Sequence, residues 1–149
     1  MKKAWILLVL GLFLVGCGAV NNNNTDEQNS DGSGIVAGEM EAVLTETSPF
    51  VFQYEVKNQT EKEVKLEFSS SQRFDYSVET KTGEQVYLFS SLAMFIAVLG
   101  EETVKPGEIL SYEIDLHGLD LKAGDYLLTA WMTPKEGKVY QVTKEFTVK

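Results

Sequence analysis

The sequence holds almost none of the residues on which metal and disulfide chemistry depend. It contains a single Cys and a single His. One Cys excludes an internal disulfide and a zinc site built on cysteine pairs, and one His excludes a site that needs two His ligands. We therefore expect no metal or other cofactor, and the composition favours a binding module over a metalloenzyme.

Positive charge is also scarce. The chain carries 13 Lys and Arg against 22 Asp and Glu, which gives a formal net charge of −9. Nucleic-acid binding needs a basic surface that neutralises phosphates, and a basic patch is what holds a protein on anionic lipid heads. The sequence therefore predicts no nucleic-acid partner, and any attachment to a membrane has to come from an anchor.

Motifs of catalysis are missing as well. The chain has no G-x-S-x-G elbow and no glycine-rich phosphate loop. His117 stands alone in a segment that reads as a loop leaving a strand, which is typical of a solvated surface residue. Asp115, Asp120 and Asp125 are spaced by five, too widely for a calcium loop. We expect a protein that is not an enzyme.

The N-terminus has the pattern of a secretory signal. Two Lys follow Met1, residues 4–15 form an apolar run, and the small residue Gly16 precedes Cys17. The sequence Leu-Val-Gly-Cys over residues 14–17 resembles the lipobox of bacterial lipoproteins. That resemblance implies cleavage after Gly16 and attachment of a diacylglycerol to the thiol of Cys17.

Two other interpretations of this segment exist. Cys17 could be an incidental thiol, although it stands in the one place where lipidation needs it. Residues 4–20 carry no charge and could form a membrane span, but they are at the short limit for a helix that crosses a bilayer.

The favoured interpretation divides the chain into three parts. Residues 1–16 are a lipoprotein signal peptide, residues 17–35 are the lipidated Cys and a flexible polar tether rich in Asn, and residues 36–149 are the folded domain. We expect the mature protein to be a monomer that is lipid-anchored in the cell membrane and faces outside the cytoplasm.

The remainder of the chain alternates between apolar and polar residues. Short runs with a period of two, separated by turn residues, predict an all-β sandwich or barrel. These runs cover residues 50–57, 64–68, 74–79, 86–89, 109–116, 126–132 and 139–148. In addition, the sequence L-x-x-G-x-Y that ends at Tyr126 resembles the tyrosine corner of Greek-key sandwiches, in which the phenol bonds back to nearby backbone.

Residues 91–99 are the ambiguous segment, because they are apolar nearly all round. They could form a helix that ends at Gly100 or a buried strand, since the period of a short apolar run does not distinguish the two. We favour the strand.

Five stretches carry a resemblance to a known family. Residues 50–58 form a strand pattern that ends in Asn, residues 68–78 read F-S-S-S-Q-R-F-D-Y-S-V, residues 83–90 lead from a Gly turn to a Ser, and P-G-E and G-D-Y follow in order. Together they resemble the bacterial intracellular proteinase inhibitor domain known from Bacillus. The chain departs from that family's pattern at Ser71, where the family often has Gly, and at Tyr87 and Phe89, where it often has Trp.

The resemblance implies an immunoglobulin-like antiparallel β-sandwich of about seven to nine strands. It also implies a protein partner, and the family name indicates a subtilisin-like serine protease. We therefore predict a membrane-anchored surface lipoprotein with a protein-binding sandwich that inhibits such a protease. The alternative is a non-inhibitory structural or interaction module of the cell envelope.

The candidate protease contact is a short run of small polar residues followed by apolar ones: Ser90, Ser91, Leu92, Ala93 and Met94. Subtilisin-like proteases hold an extended segment and fill apolar pockets with its side chains. The competing interpretation makes Leu92 and Met94 core residues of the next strand. A second loop, residues 69–73, offers Arg73 to a trypsin-like pocket, and we expect inhibition of a subtilisin-like protease to be the stronger of the two.

The lipobox interpretation predicts the behaviour of the Cys17→Ser variant. Without the thiol there is no thioether, so palmitate labelling and lipoprotein-type cleavage should both be lost. Metabolic labelling and detergent partitioning measure this. A variant that still labels and partitions as the wild type does would contradict the interpretation.

Overall fold

The computed structural model describes residues 38–149, and this part of the chain is built almost entirely from strands. The strands are β1 (Met40–Ser48), β2 (Val51–Asn58), β3 (Val64–Phe68), β4 (Phe74–Thr80), β5 (Gln85–Leu88), β6 (Gly100–Val104), β7 (Ile109–Asp115), β8 (Gly124–Met132) and β9 (Val139–Val148), with one 3₁₀ turn at Phe89–Ser91. Within residues 38–149, no helix is long and apolar enough to cross a bilayer. The predicted signal peptide (1–16), Cys17 with the predicted tether (17–35) and the domain boundary at 35/36 lie outside the described residues.

The nine strands form three antiparallel sheets. One has the order β1-β2-β7, a second pairs β3 with β6, and the third has the order β5-β4-β8-β9. This arrangement fits a β-sandwich, so the all-β prediction is confirmed. The immunoglobulin-like strand order that the family resemblance implies stays a prediction.

The core lies where the inward faces of the sheets meet. Alternate residues of β2 are fully buried, namely Phe52, Tyr54 and Val56, and so are Leu128, Ala130 and Met132 of β8. The ring of Phe52 lies 5.6 Å from that of Phe146 on β9, which joins the two larger sheets, and Leu66 and Phe68 bring β3 into the same cluster. Each large apolar side chain buried in this way stabilises the fold by roughly 1.5–3 kcal/mol.

A buried amide ties β2 to the smallest sheet. Asn58 is fully buried, and its Nδ2 donates to the carbonyl oxygens of Lys62 and Val104, each at 2.7 Å. Its Oδ1 accepts from the backbone N–H of Thr60 at 2.9 Å. Because a buried amide without partners is costly, this set of bonds fixes where β2 ends relative to β6.

The predicted tyrosine corner is present. Tyr126 is buried, and its hydroxyl donates to the carbonyl oxygen of Lys122, four residues upstream, at 2.8 Å. The bond pins the chain that enters β8, so the prediction for this motif is confirmed.

The strand predicted over residues 91–99 is wrong, and so is the helix alternative. The chain makes the 3₁₀ turn Phe89–Ser91, residues 93–99 have no regular secondary structure, and β6 begins at Gly100. The reason is topological. Strand β5 is the edge of the four-stranded sheet and β6 pairs with β3, so the chain between them crosses from one sheet to another. Leu92 and Met94 are therefore exposed instead of lying in the core.

The tyrosine corner makes a measurable contribution to stability. Tyr126→Phe removes one intramolecular hydrogen bond and should lower the free energy of unfolding by about 1 kcal/mol. Tyr112→Phe is the matched control, because its hydroxyl makes no hydrogen bond within residues 38–149, and it should change stability by less than about 0.5 kcal/mol. Urea denaturation measures both. Equal effects would show that the Tyr126 bond is not what stabilises the corner.

Candidate functional site

The segment between β5 and β6 exposes an unusual amount of apolar surface. We call residues 92–99 the exposed loop. The exposed fractions are 74% for Leu92, 97% for Met94, 74% for Ile96, 50% for Val98 and 87% for Leu99. Several exposed apolar side chains in one short segment are typical of a binding surface.

Within the loop, residues 92–96 alternate as an extended chain does. Leu92, Met94 and Ile96 point outward, whereas Ala93 and Phe95 between them are half-buried. Such alternation is the signature of a strand, although no neighbouring strand pairs with this segment. We call residues 92–96 the binding stretch, because three apolar side chains lie on its exposed face and proteases hold peptides by filling apolar pockets with such side chains.

A buried carboxylate fixes the start of the loop. Asp75 on β4 is only 6% exposed, and its Oδ1 accepts the backbone N–H of Ser90 at 3.0 Å and that of Tyr76 at 2.9 Å. The turn is closed further by the Ser91 hydroxyl, which donates to the carbonyl oxygen of Leu88 at 2.6 Å, and by the N–H of Ala93, which donates to that of Phe89 at 3.0 Å.

A serine on the neighbouring connection holds the other end of the binding stretch. Ser71 lies between β3 and β4, which belong to the same two sheets that the exposed loop connects. The N–H of Ile96 donates to its Oγ at 3.0 Å, and its own N–H donates to the carbonyl oxygen of Ile96 at 2.9 Å. The two connections therefore run side by side and are joined by hydrogen bonds.

Aromatic rings support the loop from below. The ring of Phe89 stacks on Tyr76 at 5.0 Å and on Phe74 at 5.9 Å, and the edge of Phe95 packs against Phe89 at 5.8 Å. Each aromatic pair contributes roughly 0.5–1.5 kcal/mol beyond the area that it buries. Phe95 is thus held inward, and the side chains beside it face outward.

Arg73 is not available to a trypsin-like pocket, which corrects the alternative that residues 69–73 present it. Its Nε lies 2.8 Å from Oε1 of Glu102, its Nη1 donates to the carbonyl oxygen of Ser70 at 2.9 Å, and its guanidinium lies over the ring of Phe68 at 4.6 Å. Gly100 leaves room for it, since a Cβ there would lie 2.5 Å from Nη2. The arginine therefore joins the β3–β4 connection to the start of β6, and its side chain is not presented to a partner.

The other residues considered from the sequence lie elsewhere. His117 is exposed, its Nδ1 lies 2.7 Å from Oδ1 of Asp115, and its ring edge packs on Phe50 at 5.9 Å. The hydrogen bonds from the backbone and ring of His117 hold the pKa of Asp115 below its ordinary value. Asp120 and Asp125 do not join them: among residues 38–149, no group of three or more His, Cys, Asp or Glu could hold a metal ion.

Tyrosines near the loop have no acid–base role at neutral pH. Burial raises the pKa of Tyr112 to about 12 and raises that of Tyr76 still further, with added effects of Tyr87 and of the carboxylates of Asp115 and Asp75. Both phenols are therefore protonated, and they serve the site as packing surfaces.

The structure brings the predicted contact residues together with others that the sequence did not indicate. Ser90 and Ser91 lie in the 3₁₀ turn, and Leu92, Ala93 and Met94 begin the exposed loop. Their role as protease contacts stays a prediction. The supports at Asp75 and Ser71 were missed, because a polar residue that alternates with apolar ones, as Asp75 does, or stands in a polar run, as Ser71 does, is interpreted as solvated. For Asp75 that reading is wrong, since its carboxylate is buried.

Comparison with protein families shows where this part of the chain belongs. The family model for the intracellular proteinase inhibitor, BsuPI, matches residues 39–137, which is nearly the whole of the part described above. No curated protein matches the chain.

If the Asp75 carboxylate holds the start of the loop, removing it should disorder the backbone there. Asp75→Ala removes the acceptor of the Ser90 N–H, so the free energy of unfolding should fall by about 1–3 kcal/mol and amide exchange at Ser90 should accelerate. Asp75→Asn is the matched control, because it keeps one carbonyl oxygen and should restore most of the protection. Hydrogen exchange by NMR measures this. An unchanged rate at Ser90 in Asp75→Ala would contradict the assigned role.

Proposed function

Because the chain belongs to the intracellular proteinase inhibitor family, we propose that it is a lipid-anchored inhibitor of a subtilisin-like serine protease. The proposal places the protease outside the cytoplasm and makes the binding stretch, residues 92–96, the part that enters the protease cleft. Family membership favours an inhibitor over an enzyme, and the domain then works by occupying the cleft of its partner.

The proposal depends on two properties of the binding stretch. Its apolar side chains are exposed, and its backbone is held in place at both ends. Leu92, Met94 and Ile96 are each at least 74% exposed, yet hydrogen bonds and aromatic packing hold the chain at both ends. Burying three such side chains contributes roughly 5–9 kcal/mol. Association itself costs on the order of 4–15 kcal/mol, so backbone pairing with the protease and the existing order of the loop have to supply the remainder.

The chemistry of the loop supports a protease with apolar pockets. Residues 90–99 read S-S-L-A-M-F-I-A-V-L and contain no charged side chain. A trypsin-like protease needs a basic side chain in its primary pocket, and the one arginine of the sequence, Arg73, is paired with Glu102. A subtilisin-like protease accepts an extended apolar segment without any charge.

The N-terminus supports a location at the membrane. The signal pattern of residues 1–16 and the lipobox that ends at Cys17 fit export and lipid attachment, and the polar residues that follow suit a tether. The acidic domain is repelled by anionic lipid heads, so it has no electrostatic reason to lie on the bilayer.

The proposal predicts selective inhibition. The domain should inhibit a subtilisin-like protease and leave trypsin active, as measured by hydrolysis of chromogenic peptides. A variant with Leu92, Met94 and Ile96 all changed to Ser should lose about a hundredfold or more in affinity, because the apolar contacts are gone. A control with Val86→Ser and Ile109→Ser removes exposed apolar side chains outside the loop and should inhibit as the wild type does.

Two outcomes would contradict the proposal. If both proteases digest the domain, or both ignore it at micromolar concentration, the alternative of a non-inhibitory envelope module replaces it. If the loop variant inhibits as well as the wild type, the inhibitory surface lies outside residues 92–96.

A further inference from the structure

The hydrogen bonding of the backbone distinguishes Met94 from the other exposed residues of the binding stretch. On the basis of the proposed function, the geometry points to Met94 as the residue that fills the primary specificity pocket of the protease. Met94 is the most exposed large apolar residue of the described part of the chain, at 97%. It lies between two half-buried neighbours, Ala93 and Phe95.

Hydrogen bonding excludes the other two outward residues of the stretch. Leu92 has helical backbone angles, with φ −117° and ψ −25°, and its N–H is bonded to the carbonyl oxygen of Phe89, so it belongs to the turn. Both backbone groups of Ile96 are bonded to Ser71. Neither residue has a free, extended backbone to pair with a protease.

Met94 and Phe95 have backbone groups that are free for such pairing. Within residues 38–149, neither their N–H groups nor their carbonyl oxygens have a hydrogen-bond partner. The chain is nevertheless fixed on both sides, by the turn that ends at Ala93 and by the bonds of Ile96 to Ser71. Phe95 is anchored on Phe89, which leaves Met94 as the side chain directed at a partner. A segment ordered in advance loses little entropy on binding.

The side chain of methionine defines the pocket. It is unbranched, flexible and uncharged, and it fills apolar pockets of irregular shape. The partner should therefore have a deep apolar primary pocket, with no charged group at its base.

Leu99 is the other strongly exposed residue of the loop that could fill the primary pocket, and it serves as the control for Met94. It is 87% exposed in the same loop, but it directly precedes β6 and lies beyond the residue that Ser71 holds. Its side chain borders a cavity with Phe68 and Gly100 and lies outside the binding stretch. The variants Met94→Arg and Leu99→Arg show which of the two residues fills the primary pocket.

The experiment uses the full chain in mild detergent and assays a subtilisin-like protease and trypsin with chromogenic peptides. Met94→Arg should weaken inhibition of the subtilisin-like protease by about a hundredfold and create inhibition of trypsin, because a buried charge in an apolar pocket is costly while trypsin requires one. Leu99→Arg should do neither. Met94→Leu keeps the apolar shape and should weaken inhibition by only about threefold.

Oxidation provides an independent measurement. Hydrogen peroxide transfers one oxygen atom to the methionine sulfur and leaves as water, which makes the side chain polar. Met132 is fully buried and Met40 is half-buried, so Met94 is the methionine of residues 38–149 that mild peroxide should reach first. Peroxide should weaken the wild type by about tenfold or more and leave the potency of Met94→Leu where it was before treatment.

The experiments distinguish a wrong assignment of Met94 from a wrong proposed function. If Leu99→Arg loses inhibition and Met94→Arg keeps it, or if peroxide weakens Met94→Leu as much as the wild type, the assignment of Met94 is wrong while the proposed function stands. If the wild type inhibits neither protease and Met94→Arg does not inhibit trypsin, the proposed function and the assignment fall together.

Discussion

The packing of the half-buried Phe89 ring decides where the chain between β5 and β6 runs. Its ring stacks on Tyr76 and Phe74 at the margin of the core, immediately after the edge strand of the four-stranded sheet ends. With this ring fixed inward, the following residues have to cross to the two-stranded sheet over the outside of the molecule. Phe95 returns to pack on Phe89, and the apolar residues around it are left in solvent.

Polar contacts then convert an exposed connection into an ordered one. Asp75 holds the turn at its start, and Ser71 holds both backbone groups of Ile96. Fixing the backbone of one residue costs roughly 1–2 kcal/mol, so a disordered five-residue stretch would lose about 5–10 kcal/mol on binding. This loss is similar to what three apolar side chains gain on burial, and an inhibitor therefore depends on having the stretch ordered beforehand.

The predicted compartment and the family match rest on separate parts of the sequence. The match to the intracellular proteinase inhibitor family begins at residue 39, after the N-terminal residues whose pattern predicts export. The family description names an intracellular inhibitor, whereas a signal and lipobox would send this domain outside. The same type of sandwich would then meet a different protease, which is why the proposal rests on the chemistry of the loop and on family membership together.

The sequence by itself determined seven of the nine strands and much of the core, because alternation with a period of two is a local property, but it did not indicate β1 and β6. The last strand lies at residues 139–148 as predicted, and the hydroxyl of Tyr126 bonds four residues upstream as its motif indicates. The state of residues 91–99 could not be determined in this way, since the same apolar composition occurs in a core strand, in a helix and in an exposed loop. Only the tertiary structure placed Asp75, Ser71 and Arg73 around that loop, because their contacts join residues that are far apart in sequence and meet only where the chain crosses between sheets.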